Sequence, residues 1–245
     1  VVYPGTNEVV AQVQSCTAEH VDKAVECAAK AFKKWKNTPA FQRENYVKEF
    51  VALLRLDENY KTIGKFINLE MGKPISAANS EAFYSADLAE YQSQWARRIE
   101  GEVITSDSTT ERILIEREPL GVIGVIVPWN FPIYVLIRKV IPALIAGNTV
   151  VIKPSIKSPI SALKLAELFQ KAGFPEGVVN VVVGADEIVG EALTSANIQM
   201  VTFTGSTKVG QQIMKKCAAN MIRVSLELGG KAPAIVMEDA DIDLA

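Results

Sequence analysis

Glu227 lies in Leu226-Glu227-Leu228-Gly229-Gly230-Lys231, at the end of the apolar stretch Val224-Ser225-Leu226. A carboxylate followed by two glycines is poorly placed for a solvated face or a helix cap. The glycines let the chain turn sharply, so the carboxylate can swing between a water molecule and a proton exit. That suits a general base, for which a buried glutamate with a raised pKa is useful near neutral pH. An ion pair with a lysine or arginine elsewhere explains the residue equally well. Asn130 stands in Val127-Pro128-Trp129-Asn130-Phe131, between two aromatic rings and two prolines, Pro128 and Pro132. Prolines fix the backbone, so the amide can be aimed at little entropic cost as an oxyanion donor. The commoner use of such an asparagine is to hold a turn through its own backbone.

Residues 201–210, VTFTGSTKVG, read as a strand, a tight glycine turn at Gly205 and a helix start. Thr204 and Gly205 bring the backbone close to a ligand, Ser206 can donate to a phosphate oxygen, and the new helix points free N–H groups outward. This G-x-T-x-x-G variant of the dinucleotide fingerprint also fits a strand–turn–helix with no ligand. Gly184 and Gly190 flank the preceding helix start and can line the same groove. Lys153 leaves the end of the strand in NTVVIKPS (148–155), from which it can reach ribose hydroxyls or phosphate; a solvated loop lysine fits too. His20 reads as a surface residue in the first turn of its helix. Cys16, Cys27 and Cys217 form no C-x-x-C pair and read as small core or surface residues rather than nucleophiles.

The elements that must carry these groups fall into two parts. The first hundred residues are mainly helical. Thr17 can cap a helix with Val21, Ala24, Val25, Ala28, Phe32 and Trp35 on one face, and two further helical patterns lie near 41–56 and 78–99, separated by MGKP. RILIERE (112–118) alternates like an exposed strand of an antiparallel pair, EPLG offers a turn, and 121–127 returns as a more buried strand. Helices at 131–147, 159–172, 186–195 and 206–219 then alternate with strands at 148–152, 178–183, 200–204 and 222–228. Those strands are Val/Ile-rich without polar alternation, as in a parallel sheet covered on both faces. Repeated units of this kind predict a doubly wound α/β sheet with ligands at the carboxyl ends of its strands. The last segment, 232–245, opens a new strand and helix start, and the N-terminus reads as a chain entering mid-strand.

The bulk numbers restrict function by exclusion. The 245 residues are 49% hydrophobic and 22% charged, with a net charge of −2, which is enough for a sizeable core. No basic stripe points to nucleic acid and no polybasic arm to anionic lipid. Three scattered cysteines and one histidine argue against a disulfide framework or a zinc site, and favour a reducing, cytoplasmic setting. The uncharged run 121–137 approaches membrane-span length, but Pro128, Asn130 and Pro132 interrupt it and Arg138-Lys139 follow at once. No signal peptide is visible. These features leave two classes open: a nucleotide-using enzyme, or a stand-alone nucleotide-binding or scaffold protein without catalysis.

PWNFP (128–132), GNTVVIKPS (147–155), GFPEGVVNVVVG (173–184), FTGSTKVG (203–210) and LELGGKAPAIV (226–236) occur here in one order. Together they resemble the aldehyde dehydrogenase superfamily, and the resemblance runs through residues 1–245. EYQSQWARRIEGEVI (90–104) is most similar to the bacterial lactaldehyde/glycolaldehyde branch, with succinate-semialdehyde dehydrogenases as neighbours. The resemblance implies a Rossmann-like, doubly wound NAD(P)-binding domain at 1–100 and 120–229, and a protruding oligomerisation hairpin at 101–119. It places the start of a catalytic domain at 230–245 and implies a homodimer or homotetramer. It implies that a cysteine attacks a small aldehyde, that hydride passes to NAD or NADP, and that water releases the acid from a thioester. It makes Asn130 the oxyanion donor and Glu227 the base. Trp129 and Lys153 become the cofactor wall with Ser155 and Ile156 beside them, Gly205-Ser206 the phosphate end, Ile126, Val127 and Val209 the adenosine side, and Leu228 a neighbour of the nicotinamide.

Two departures follow from the same resemblance. The family's cysteine comes a few dozen residues after ELGGK, usually in G-Q-x-C, and neither Cys16, Cys27 nor Cys217 matches that context. The expectation is a fragment or a natural truncation of a longer enzyme. NAD-preferring members usually read K-P-S-E, whose glutamate binds the ribose hydroxyls; here Ile156 takes that place. With Lys157 close enough to pair with a phosphate, the expectation is relaxed use of both NAD and NADP.

Overall fold

A computed structural model describes residues 1–244. Helix α1 (Ala18–Trp35) starts where Thr17 suggests, with His20 Nδ1 accepting from the Thr17 backbone N–H at 3.0 Å. It buries Val21, Val25, Ala28 and Trp35, the spacing of a single apolar stripe. Helix α2 (Ala40–Leu54) follows, and then α3 (Asp57–Met71), which the sequence reading did not resolve. Its buried stripe is only Ile63, Gly64, Ile67 and Glu70, too sparse for periodicity to reveal. Gly72, at φ 76°, ends α3 in the left-handed conformation that glycine adopts most readily. Helix α4 (Ile75–Ser93) therefore begins directly after MGKP rather than at residue 78, and a 3₁₀ turn spans Gln94–Arg97.

Strands β1 (Glu102–Ile104) and β2 (Ile113–Ile115) form an antiparallel ribbon. Residues 112–118 thus supply an exposed strand, but its partner precedes it, and EPLG is a connection rather than a hairpin turn. Strand β3 (Val122–Ile126) opens the main sheet. Helix α5 (Tyr134–Ile145), β4 (Thr149–Lys153), α6 (Pro159–Lys171) and β5 (Val179–Val181) follow. The predicted helix at 186–195 splits into a π turn at Asp186–Gly190 and α7 (Glu191–Ser195). Strand β6 (Met200–Gly205), α8 (Thr207–Ala219) and β7 (Arg223–Leu228) complete the series. Residues 232–244 form turns and no strand, with Ile235 78% exposed; an apolar run with nothing to pack against gains nothing from extending. The N-terminus makes one isolated antiparallel bridge, Val2 to Val9, in place of a strand.

The five strands are parallel in the order β5-β4-β3-β6-β7. Alternate residues of β3 serve opposite cores. Ile123 and Val125 join the core formed with α2 to α6, whereas Val122 and Ile126 join the one formed with α1, α7 and α8. Burial on both faces is why the strands carry no polar alternation. Gly124 faces the second core, where a Cβ would stand 2.9 Å from Ile198 Cδ1 and 3.4 Å from Leu193 Cγ, so the layer packs closely over this position. On the other side, Phe50 of α2 stacks on Phe169 of α6 at a centroid distance of 4.1 Å. Buried Glu70 reaches from α3 to the first turn of α6, accepting from Ile160 N–H and from Ser161 N–H at 3.0 Å. Burial pushes its carboxyl above the ordinary glutamate value, against the opposing pull of these hydrogen bonds. Among the described residues no helix is long and apolar enough to cross a membrane.

Candidate active site at the carboxyl end of the sheet

Strand order reverses between β3 and β6: the chain runs outward through β4 and β5, then returns to lay β6 on the far side of β3. In an open parallel sheet this is where a crevice forms beyond the strand ends. Asn130 lies just past β3, Lys153 ends β4, Thr204 and Gly205 end β6, and Glu227 and Leu228 end β7. Thr204 pairs with Glu227 and Gly205 with Leu228. With strands about 4.8 Å apart, the ends of β3 and β7 stand roughly 10 Å apart across β6.

The Asn130 turn is held from outside the sheet. Glu81 of α4, 1% exposed in its side chain, accepts from the backbone N–H groups of Ile133 and Tyr134 at 3.0 and 3.2 Å and pairs with Lys73. Lys73 also donates to the Asn130 carbonyl at 2.8 Å and sits 3.7 Å from the Phe131 ring centroid. Asn130 Oδ1 accepts from Phe131 N–H at 3.1 Å. The side chain thus bonds its own turn, as such asparagines often do, and that bond also orients the exposed amide Nδ2. Among the described residues Nδ2 has no hydrogen-bond partner.

Glu227 is exposed rather than buried, because β7 is the edge strand and the glycines after it lie open. Beneath it runs a residue taken from the sequence only as the charged end of an apolar run. Lys139 of α5 is 9% exposed and donates to Thr202 Oγ1 on β6 at 2.9 Å. Burial pushes its ammonium below the ordinary lysine value, Glu227 pulls the other way, and Arg138 adds to the lowering.

On the dinucleotide side, Ser206 caps α8, its Oγ accepting from Val209 N–H at 3.4 Å, which leaves the hydroxyl proton free to donate. Lys153 is buried and pairs with Asp186 of the π turn. Gly190 lies beside it, since a Cβ there would meet Lys153 Cε at 3.6 Å. Ser155 Oγ accepts from Lys157 N–H, and Lys157 Nζ stands 5.5 Å from the Trp129 ring centroid. Ile156, Val209 and Leu228 are exposed at the same end. Ile126 and Val127 are instead buried, one in each core, so only their backbone faces this end. Gly184 is buried as well, and a Cβ there would stand 2.5 Å from Val189. The sequence signal for Glu81 and Lys73 was a helical pattern and a separator; neither hinted that they meet the Asn130 turn.

Glu81→Gln keeps one acceptor oxygen but sets an amide against the Lys73 ammonium. Breaking a buried pair in this way costs about 3 kcal/mol, which urea unfolding would register as a lower midpoint. An unchanged midpoint would show that the Lys73 contact is dispensable.

The profile of the aldehyde dehydrogenase family matches residues 1–245. The chain is 43% identical to lactaldehyde dehydrogenase of Escherichia coli (strain K12) over 246 residues, covering 100% of this chain and 51% of that protein. It is 41% identical to the mitochondrial succinate-semialdehyde dehydrogenase of Arabidopsis thaliana, covering 99% and 46% respectively. A solved structure of 3,6-anhydro-L-galactose dehydrogenase in complex with NADP superposes with a TM-score of 0.94 at 40% identity, over 98% of this chain and 50% of that one. The chain spans about half the length of the curated relatives it matches.

Proposed function

This chain belongs to the aldehyde dehydrogenase family, and on that premise we propose that it is the cofactor-binding portion of an enzyme oxidising a small aldehyde to its carboxylic acid with NAD or NADP. The aldehyde is of the lactaldehyde, glycolaldehyde or succinate-semialdehyde type, in keeping with the relatives' names. The observation that carries the reading is the placement of Asn130 and Glu227 on either side of the β6 turn, with Lys153 and Ser206 at the same end of the sheet. Residues 1–100 and 120–229 are the dinucleotide domain, 101–119 the oligomerisation ribbon and 230–245 the start of a catalytic domain. Val103, Ile104, Ile113, Leu114 and Ile115 are exposed on that ribbon, which suits a surface covered by another copy.

The residues present fit a dinucleotide. A buried lysine at a strand end and a capped helix start whose first amides lack intrahelical partners offer cationic and N–H donors to ribose and phosphate. A bound nicotinamide dinucleotide would supply the acceptor for the hydride that leaves the substrate carbon. The Asn130 amide donates to the carbonyl oxygen as negative charge develops on it after attack by a cysteine thiolate. Glu227 takes a proton from the water that cleaves the resulting thioester, so that the acid leaves and the thiol is restored. Cys217 is buried in its core, with its thiol pushed above the ordinary value by that burial, which is the opposite of an activated nucleophile.

The 245-residue chain is therefore expected to bind NAD or NADP by calorimetry yet form no NADH or NADPH with any small aldehyde. Turnover abolished by Cys27→Ala or Cys217→Ala would overturn the assignment of those cysteines, and absence of dinucleotide binding would overturn the site.

A further inference from the structure

We propose that Asp186 makes this protein select NAD over NADP, an inference that rests on reading the end of the sheet as a dinucleotide site. Lys153 is 1% exposed, and its Nζ bonds the Asp186 carboxylate and, at 3.4 Å, the Pro154 carbonyl. The Asp186 side chain is 73% exposed, so one edge of the carboxylate rests on the lysine and the rest opens at the end of the sheet. The π turn Asp186–Gly190 folds over the Lys153 stem, since a Cβ on Gly190 would lie 3.6 Å from Lys153 Cε and 3.9 Å from Asp186 Cβ. Asp186 is held there by its ion pair with Lys153.

A carboxylate only accepts hydrogen bonds and an ammonium only donates them. Side by side they complement a vicinal diol, in which each hydroxyl can do both, and an acidic residue on the ribose is the general device for binding the unphosphorylated cofactor. A 2′-phosphate offers acceptors alone. It would meet a carboxylate at close range, and the Lys153 charge it needs is already engaged by that carboxylate. Ile156 is exposed and apolar and can neither accept nor repel. Lys157, the other nearby cation, sits over Trp129. On this proposal the selectivity that Ile156 does not supply comes from elsewhere: the acidic group reaches the lysine from the turn after β5 rather than from the loop after β4. Discrimination comes from a repulsive element placed against the wrong ligand.

The test is calorimetric titration of the complete natural protein with NAD and with NADP, alongside Asp186→Asn and Asp186→Ser. The unmodified protein should bind NAD at least about tenfold more tightly, one step of 1.4 kcal/mol. Both variants should shrink that ratio by roughly tenfold, mainly through tighter NADP binding; the asparagine keeps the shape and isolates the charge. Equal affinity for the two cofactors in the unmodified protein, or an unchanged ratio in both variants, would overturn the inference alone. Failure of the unmodified protein to bind either would overturn the dinucleotide reading and the inference with it.

Discussion

Replacing Glu227 by Gln in the complete natural enzyme is expected to slow acid release by roughly 10²–10⁴-fold while leaving dinucleotide affinity nearly intact. The amide preserves shape and cannot take a proton. The residue stands on β7 beside Thr204, three strands from β4 and its Lys153, and the substitution keeps its size, so the lysine end of the cofactor groove is left unchanged. Rapid-mixing kinetics would show a normal first burst of reduced cofactor followed by a nearly stalled steady state. Unaltered steady turnover would make Glu227 structural and place the base elsewhere.

Asn130→Ala should lower kcat by roughly 10²–10³-fold, the usual cost of removing one preorganised oxyanion donor. The amide is oriented before substrate arrives, with Oδ1 tied to Phe131 N–H and the backbone carbonyl tied to Lys73. Steady-state kinetics with cofactor binding measured in parallel separates this from a folding defect. A variant that keeps kcat would mean the asparagine serves only its turn.

Much of the fold was legible because burial on two faces leaves an unmistakable pattern. Val122–Ile126 and Thr149–Lys153 are wholly buried, and between Thr149 and Lys153 the second strand is purely apolar. Helix α3 was not legible, since its buried face includes a glycine and a glutamate that satisfies α6 from a distance. The site divided along the same line. Asn130, Lys153, Ser206 and Glu227 announce themselves by local chain chemistry, through prolines, a strand end, a glycine turn and paired glycines. Asp186, Glu81 and Lys139 acquire meaning only from partners 33, 52 and 63 residues away. No short window of sequence contains such pairs. Residues 232–236 failed in the opposite sense, with strand-like composition and no neighbour to pair with.

The Glu81–Lys73 clamp has a consequence for how the chain assembles. Its two charges lie on and just before α4, and the turn they grip is made some fifty residues later. Domains generally fold as units, N-terminal ones first during synthesis. The receptacle for the Asn130 turn therefore leaves the ribosome before the turn does, and β3 can enter the nascent sheet with its end already spoken for. A truncation removing α4 would take Ala78, Ala82, Ala86 and Ala89 from the core against the sheet together with the Glu81 grip on the turn, so the sheet face and its first turn would be lost as one.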